Sequence, residues 1–194
     1  MSDPASTAPP VPRLETARLV LREITPADAP ALHAVFGDAQ VTEHYDLETF
    51  TSQAQALALI EQFASVQRAG KGVRWAIERK HEPGLIGTCG FNEWARVSRR
   101  GGLGYDLARA HWGQGLVGEA VGAVLAHGFG AMALHRIEAF VMRGNQRSVR
   151  LLRRHGFSEE GVLRERGAWK GQFHDLRLFS LLAHEYAPHS QTQG

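Results

Sequence analysis

Tyr105-Asp106-Leu107-Ala108-Arg109-Ala110-His111-Trp112-Gly113-Gln114-Gly115-Leu116-Val117-Gly118-Glu119-Ala120 decides the fold: a β-type segment passes through two glycines directly into a helix. This is an anion-binding layout. The first N–H groups of a helix lack an intrahelical partner and lie at the positive end of its dipole. Gly113 and Gly115 put no Cβ between those amides and an approaching phosphate. Read without a ligand, the same glycines make a chain reversal and nothing more. Gly113-x-Gly115-x-x-Gly118 also matches the dinucleotide fingerprint, with Glu138 twenty residues beyond Gly118 where a ribose-binding acid is sought. A dinucleotide-binding oxidoreductase, however, needs this loop after the first of several parallel strands. Here three antiparallel-looking strands precede it, one crossover helix clearly follows, and Glu138 falls near the start of its strand, so that reading ranks last.

Upstream, the strand-like runs are Val73 to Lys80, Leu85 to Trp94 and Gly101 to Ala108, with a turn at Glu82-Pro83-Gly84, and they suit an antiparallel meander. Before them lie a short β-type run, Arg18 to Arg22, and two helices. Thr25-Pro26-Ala27-Asp28 starts the first, with Thr25 as N-cap, Pro26 at the first helical position and Asp28 in the first turn, and it should reach Phe36. Ser52 and Gln55 form a capping box for the second, which should reach Ala69 before Gly70 and Gly72. Downstream the pattern predicts a helix over Leu116 to Met132, a strand over Arg136 to Met142, a helix over Asn145 to His155, and strands over Gly161 to Trp169 and Phe173 to Leu182. That order defines an α/β or α+β domain with a mixed sheet of six or seven strands.

The chain has 194 residues, 43% apolar and 22% charged, enough for one sizeable core and a tight fit for two full domains, so one folded unit is expected. A formal net charge of +2 gives no footprint for nucleic acid or an anionic membrane. The first twelve residues, MSDPASTAPPVP, carry four of the eight prolines and read as a loose tail, with the domain at 13–187 and a second tail at 188–194. Ala120 to Leu134 is too short to span a bilayer, so the expected location is the cytoplasm. The lone cysteine, Cys89, excludes an intrachain disulfide and reads as a small buried side chain. Ten histidines show no HExxH or paired ligand spacing, so no metal is expected, and no Gly-x-Ser-x-Gly elbow is present. His174-Asp175 alone is weak evidence for a phosphohydrolase; Asp175 reads as a tether for the last strand or as acceptor-cleft lining. Trp75, Phe91, Tyr105, Trp94 and Trp169 read as core or sheet residues, the last two also as walls of an acceptor pocket.

Several segments together resemble one family. They are Gly104-Tyr105, Trp112 to Ala120, His135-Arg136-Ile137-Glu138-Ala139, Asn145 to Phe157, Glu160 to Glu165, and Asp175-Leu176 through Leu182. In order and spacing these resemble the GNAT superfamily of acetyl-coenzyme A-dependent N-acetyltransferases, in the branch of the ribosomal-protein N-terminal acetyltransferases RimJ and RimL. The resemblance implies a mixed, mostly antiparallel sheet whose strand ending at Leu107 and Ala108 splays from the one beginning near Arg136. The gap receives the pantetheine arm of acetyl-CoA as though it were a β-strand, while amides of Trp112, Gly113, Gln114, Gly115, Leu116, Val117 and Gly118 receive the pyrophosphate. The family loop usually has Gln or Arg in place of Trp112 and Gly or Ala in place of Val117. Asn145 is implied to bond the pantetheine region and reads equally as an ordinary N-cap. Arg150, Arg153 and Arg154 read as a solvated face or as phosphate contacts.

The implied reaction is direct attack of a primary amine, from a protein N-terminus or a small molecule, on the thioester in a ternary complex. A backbone N–H at a strand bulge near Leu107 is the implied oxyanion donor. Glu138 is the leading general base, with Glu93 second; Gly102 stands where many relatives carry a carboxylate. The position where several relatives place an acidic Tyr is Leu152 here. Ser148 lies one helical turn earlier and is expected to contact the sulfur, although a Ser there also satisfies local backbone groups. A non-catalytic acyl-CoA-binding sensor is the alternative, on the strength of Gly102 and Leu152. Family members are often dimers, so a homodimer is an expectation.

Overall fold

The computed structural model describes residues 10–187. Eight strands form one sheet in the order β1-β2-β3-β4-β5-β6-β8-β7. They are β1 (Leu14–Glu15), β2 (Leu19–Glu23), β3 (Val73–Arg79), β4 (Glu82–Ala95), β5 (Arg100–Leu107), β6 (Arg136–Met142), β7 (Ser158–Trp169) and β8 (Gln172–Leu182). The helices are α1 (Ala29–Phe36), α2 (Ala39–Thr42), α3 (Gln53–Arg68), α4 (Leu116–Phe129) and α5 (Gln146–Arg154). Relative to the expected six or seven strands, the extra one is β1, whose two residues are too few to leave a period-two pattern.

Both helix-start signals act as read. The Thr25 N–H donates to Asp28 Oδ2 at 2.8 Å, and the Ser52 N–H donates to Gln55 Oε1 at 3.0 Å. The turn expected at Glu82-Pro83-Gly84 lies earlier. The chain reverses at Lys80-His81, where the Arg79–Glu82 ion pair, 2.7 Å, closes the hairpin. α4 ends at Phe129 rather than Met132 because Gly130 leaves helical geometry. α4 and α5 cover one face of the sheet, burying Ala120, Val124, Leu125 and Val149 with Trp75, Phe91 and Ile137. On the other face α1 and α3 bury Leu32, Phe36, Leu59 and Ile60 with Ala76 and Leu85.

Val11 and Pro12, expected within the loose tail, are tied down. The buried Trp75 indole donates to the Pro12 carbonyl at 2.7 Å and Val11 packs on the core. The remainder of both expected tails, 1–9 and 188–194, lies outside the described residues. Cys89 is fully buried, and burial pushes its thiol up to about 12. The native protein is therefore expected to resist a thiol reagent at pH 8 and to react stoichiometrically in denaturant; rapid native labelling would show that β4 opens.

All neighbouring strands pair antiparallel except β5 and β6, which run parallel. Their ladder joins Arg100, Gly101 and Gly102 to Arg136, Ile137 and Glu138, and it stops there. Beyond it β5 runs on to Leu107 and β6 to Met142 without pairing to each other, so the sheet forks at its centre.

Candidate active site

The fork exposes backbone in a definite pattern. The Ala108 N–H donates to Ile86 O at 2.8 Å, in register with Leu107↔Gly87, Tyr105↔Cys89 and Leu103↔Phe91. Bonded and non-bonded pairs alternate along an antiparallel ladder, so Leu103, Tyr105 and Leu107 aim their N–H and C=O groups away from β4, into the fork. The Leu107 carbonyl is taken by the Trp112 indole N–H at 2.8 Å, and the Arg147 guanidinium covers the Trp112 ring at 4.4 Å. Tyr105 Oη and Ser148 Oγ lie 2.9 Å apart across the floor, and burial pushes the Tyr105 phenol well above its usual range. Asn145 caps α5, its Oδ1 accepting the Ser148 N–H at 3.1 Å. The N-cap reading of Asn145 thus holds in this structure, and its amide Nδ2 hydrogens are not used by that bond.

At the mouth of the fork the α4 N-terminus is built on two left-handed residues, Gly113 at φ +76° and Gly115 at φ +75°. A Cβ on Gly113 would meet nothing within 4 Å, and one on Gly115 only Arg18 Nη2 at 3.6 Å. Conformation, not crowding, demands glycine here. Arg18 Nη1 holds the Gln114 carbonyl at 3.0 Å and Arg18 Nε pairs with Glu119 Oε2 at 2.7 Å. The Arg18 N–H and the Thr16 hydroxyl both donate to Glu119 Oε1. Burial works against the Glu119 charge, but the bonds from Thr16 and Arg18 prevail and hold its carboxyl below the usual range. The whole forms a cleft of about 1170 Å³, large for a small-molecule site. A separate surface hollow of about 620 Å³, between His33, Phe50 and Arg109, touches none of these groups.

The sequence profile of the Acetyltransferase (GNAT) domain matches residues 18–158. This chain belongs to the GNAT acetyltransferase family. It is 42% identical over 171 residues to an uncharacterized N-acetyltransferase of Bacillus subtilis, YoaA, covering 88% of this chain and 97% of that one. It is 29% identical over 187 residues to the [ribosomal protein uS5]-alanine N-acetyltransferase of Escherichia coli, covering 91% and 93%. Among solved structures, the ribosomal L7/L12 α-N-protein acetyltransferase RimL in complex with coenzyme A superposes with a TM-score of 0.79 at 22% identity, covering 88% and 98%. The eight-stranded sheet and its helices therefore form a GNAT fold.

The residues expected to hold the coenzyme divide between the cleft and its surroundings. Leu107, Trp112, Gly113, Gly115, Leu116, Val117, Gly118, Asn145 and Ser148 line the cleft. Ala108 and Gln114 do not: Ala108 packs with the α1–α3 side, and Gln114 turns its carbonyl to Arg18 and its amide to the Ala110 carbonyl. The bulge expected near Leu107 lies elsewhere, at Asn92 in β4, opposite Gly102 and Leu103. Arg150 and Arg154 line the cleft, while Arg153 turns to Glu159 at 3.2 Å. Trp169 lines it too; Trp94 instead packs under Arg96 at 3.7 Å.

Glu138 and Glu93, the two expected bases, lie away from the cleft. Glu138 sits on the last rung of the β5–β6 ladder, opposite Gly102, at the closed end of the fork. Arg136 Nε takes one oxygen at 2.8 Å and Arg100 Nη1 the other at 3.2 Å, and Arg100 Nη2 binds Glu93 at 2.8 Å. Neither carboxylate lines the cleft. Their residue types suit a base, but strand order could not show that Arg100 and Arg136 would hold them at the closed end of the fork.

Sequence reading missed a buried polar cluster under the cleft wall. Arg74 on β3 donates to Thr88, Asn92, Tyr45 and Asp106, the last at 2.8 Å, and the Thr88 N–H bonds Asp106 Oδ1 at 2.9 Å. Tyr45 and Asn92 line the cleft, so this cluster fixes part of its wall. An Arg inside the run Val73 to Lys80 and an Asp inside Tyr105-Asp106-Leu107 were the available signal: charges at strand positions that face another layer.

Proposed function

We propose that the protein is an acetyl-CoA-dependent N-acetyltransferase in which a primary amine attacks the thioester directly. One observation carries this: the β5–β6 ladder ends at Glu138, leaving a row of inward-facing backbone groups beside a left-handed helix start. These features fit the coenzyme's two polar parts, an amide-bearing arm and a diphosphate. The coenzyme supplies an activated acyl thioester. Leu103, Tyr105 and Leu107 offer backbone bonds to the arm, and the amides at Gly113 to Gly118 receive the diphosphate. Arg150 and Arg154 add positive charge along the same wall.

Tyr105 and Asn145 fix Ser148 from two sides, and the Ser148 hydroxyl stabilises the leaving sulfur. The amine enters at the opposite end, where Glu43, His44 and Asp46 line the cleft, and its proton leaves there. Overall the amine loses one proton and the thiol gains one as the C–N bond forms and the C–S bond breaks.

Thiol release from acetyl-CoA with a panel of peptides and amines tests the proposal. Turnover with at least one acceptor supports it; tight coenzyme binding with no turnover across the panel supports the acyl-CoA sensor instead. Glu138→Gln provides a second check. A general base is worth about 10²–10⁴-fold, whereas a residue locked between Arg100 and Arg136 should leave kcat within about threefold while lowering the melting temperature. A hundredfold fall in kcat with unchanged stability would return Glu138 to the role of base.

A further inference from the structure

Arg18 lies in the turn between β1 and β2, far in sequence from the loop before α4, yet three of its polar groups end there. Nη1 donates to the Gln114 carbonyl at 3.0 Å, Nε to Glu119 Oε2 at 2.7 Å, and the backbone N–H to Glu119 Oε1 at 2.7 Å. The Thr16 hydroxyl adds a second bond to Oε1. Half of the Arg18 side chain is exposed, and an ion pair with that much water around it adds little to folding stability. What the clasp fixes is the geometry of the loop.

Its first consequence concerns one peptide plane. The Gln114–Gly115 peptide is trans, so its C=O and N–H point to opposite sides. Left-handed glycines at 113 and 115 place few steric limits on this plane, so an outside grip decides which way it faces. Arg18 takes the carbonyl and lines no part of the cleft, whereas Gly115 does line it. The Gly115 N–H is thereby turned away from Arg18, on the cleft side of the loop. Among the described residues, the N–H groups of Gly113, Gln114 and Gly115 have no acceptor.

The second consequence concerns charge. Glu119 stands in the first turn of α4, and its bonds to Thr16 and Arg18 keep it ionised. A carboxylate there competes with any other anion for the positive end of the helix dipole and repels a phosphate held at that end. Arg18 engages both of its oxygens and makes the pair neutral. The remaining guanidinium nitrogen, Nη2, lies 3.6 Å from where a Cβ on Gly115 would sit.

We propose that Arg18 is a positioning residue for the coenzyme's diphosphate: it aims the Gly115 N–H into the cleft by holding the Gln114 carbonyl, and it cancels the Glu119 carboxylate that would repel the bound anion. The proposal rests on the reading of the fork as a coenzyme A site. It goes beyond that reading by assigning the loop's alignment to a side chain that lines no part of the cleft.

Titration of the full chain with coenzyme A, and with pantetheine, which carries the arm without the diphosphate, tests it. Arg18→Met keeps the apolar stem and loses both side-chain grips. Its coenzyme A Kd should rise about tenfold, as for one lost charged hydrogen bond. The pantetheine Kd should stay within about twofold, and the melting temperature should fall by no more than about 4 °C. Arg18→Lys reaches one partner but cannot fork between two, so it should weaken coenzyme A about threefold and pantetheine not at all. Adding Glu119→Gln to Arg18→Met removes the uncancelled charge and should recover about threefold of the loss. An unchanged coenzyme A affinity in Arg18→Met, an equal loss for pantetheine, or a double variant no tighter than Arg18→Met would overturn the proposal. These titrations do not depend on turnover. Thiol release absent with every acceptor would overturn acetyl transfer and leave the Arg18 result standing, whereas a wild type that binds no coenzyme A would overturn both.

Discussion

Asp106→Ala is expected to remove about 3–5 kcal/mol of folding stability, the loss found when one partner of a buried ion pair is deleted. Arg74 and Asp106 have side chains only 3% and 1% exposed, so water cannot replace the lost carboxylate. The guanidinium would keep Thr88, Asn92 and Tyr45 as partners, none of them charged. Against a typical domain stability of about 5–15 kcal/mol, this loss is large. Urea unfolding of the wild type and variant would measure it. The double variant Arg74→Met with Asp106→Leu separates the pair's net value from the penalty of breaking it, and it should recover most of the stability because both charges leave together. A loss below about 1 kcal/mol in the single variant would show that the cluster is wet. Since Asp106 itself lines the cleft and anchors the Arg74 guanidinium that holds Tyr45 and Asn92 on its wall, a guanidinium shifted by the loss should also raise KM for the acceptor amine.

The second large effect is expected at Gly115. Its φ of +75° with ψ of 2° makes the helix cap left-handed, a region that a β-branched residue occupies only under strain. Gly115→Val would either distort the loop or carry a backbone strain of about 1–3 kcal/mol. In both cases the amides of Gly113 to Gly118 lose their alignment. Coenzyme A affinity should fall by roughly ten- to a hundredfold, with the melting temperature falling by only about 2–10 °C, the size that such strain gives a chain of this length, since a side chain at this position meets little else. Titration calorimetry reads the first quantity and thermal unfolding the second. An unchanged affinity would mean that the α4 N-terminus does not hold the diphosphate.

Both predictions turn on features that differ in how far sequence exposes them. The Gly113–Gly118 loop was legible because its chemistry is local: glycines, a preceding strand and a following helix are contiguous. The helix caps at Thr25 and Ser52 were legible for the same reason. Long-range partners were not. Glu119 meets Arg18 across 101 positions, and Arg74 meets Asp106 across 32, and nothing in either neighbourhood names the other. Glu138 illustrates this: its strand, Arg136 to Met142, is as expected, but where its carboxylate lies depends on which rung of that strand is the last one paired. Trp169 and Trp94 had the same reading from sequence, and only the curl of the β7–β8 hairpin, held by Lys170 on Thr42, separates cleft wall from surface stack. The bulge was misplaced because a one-residue shift between β4 and β5 depends on cross-strand register, which alternation within one strand does not encode.

A crystal structure with coenzyme A tests the central claim most directly. The account predicts the pantetheine arm between residues 103–107 and 139–142, bonded to the free backbone groups of Leu103, Tyr105 or Leu107, with the diphosphate on the amides of residues 113–118. Coenzyme A bound elsewhere, or a β5–β6 ladder continuing past Gly102 and Glu138 so that the fork is zipped shut, would contradict it.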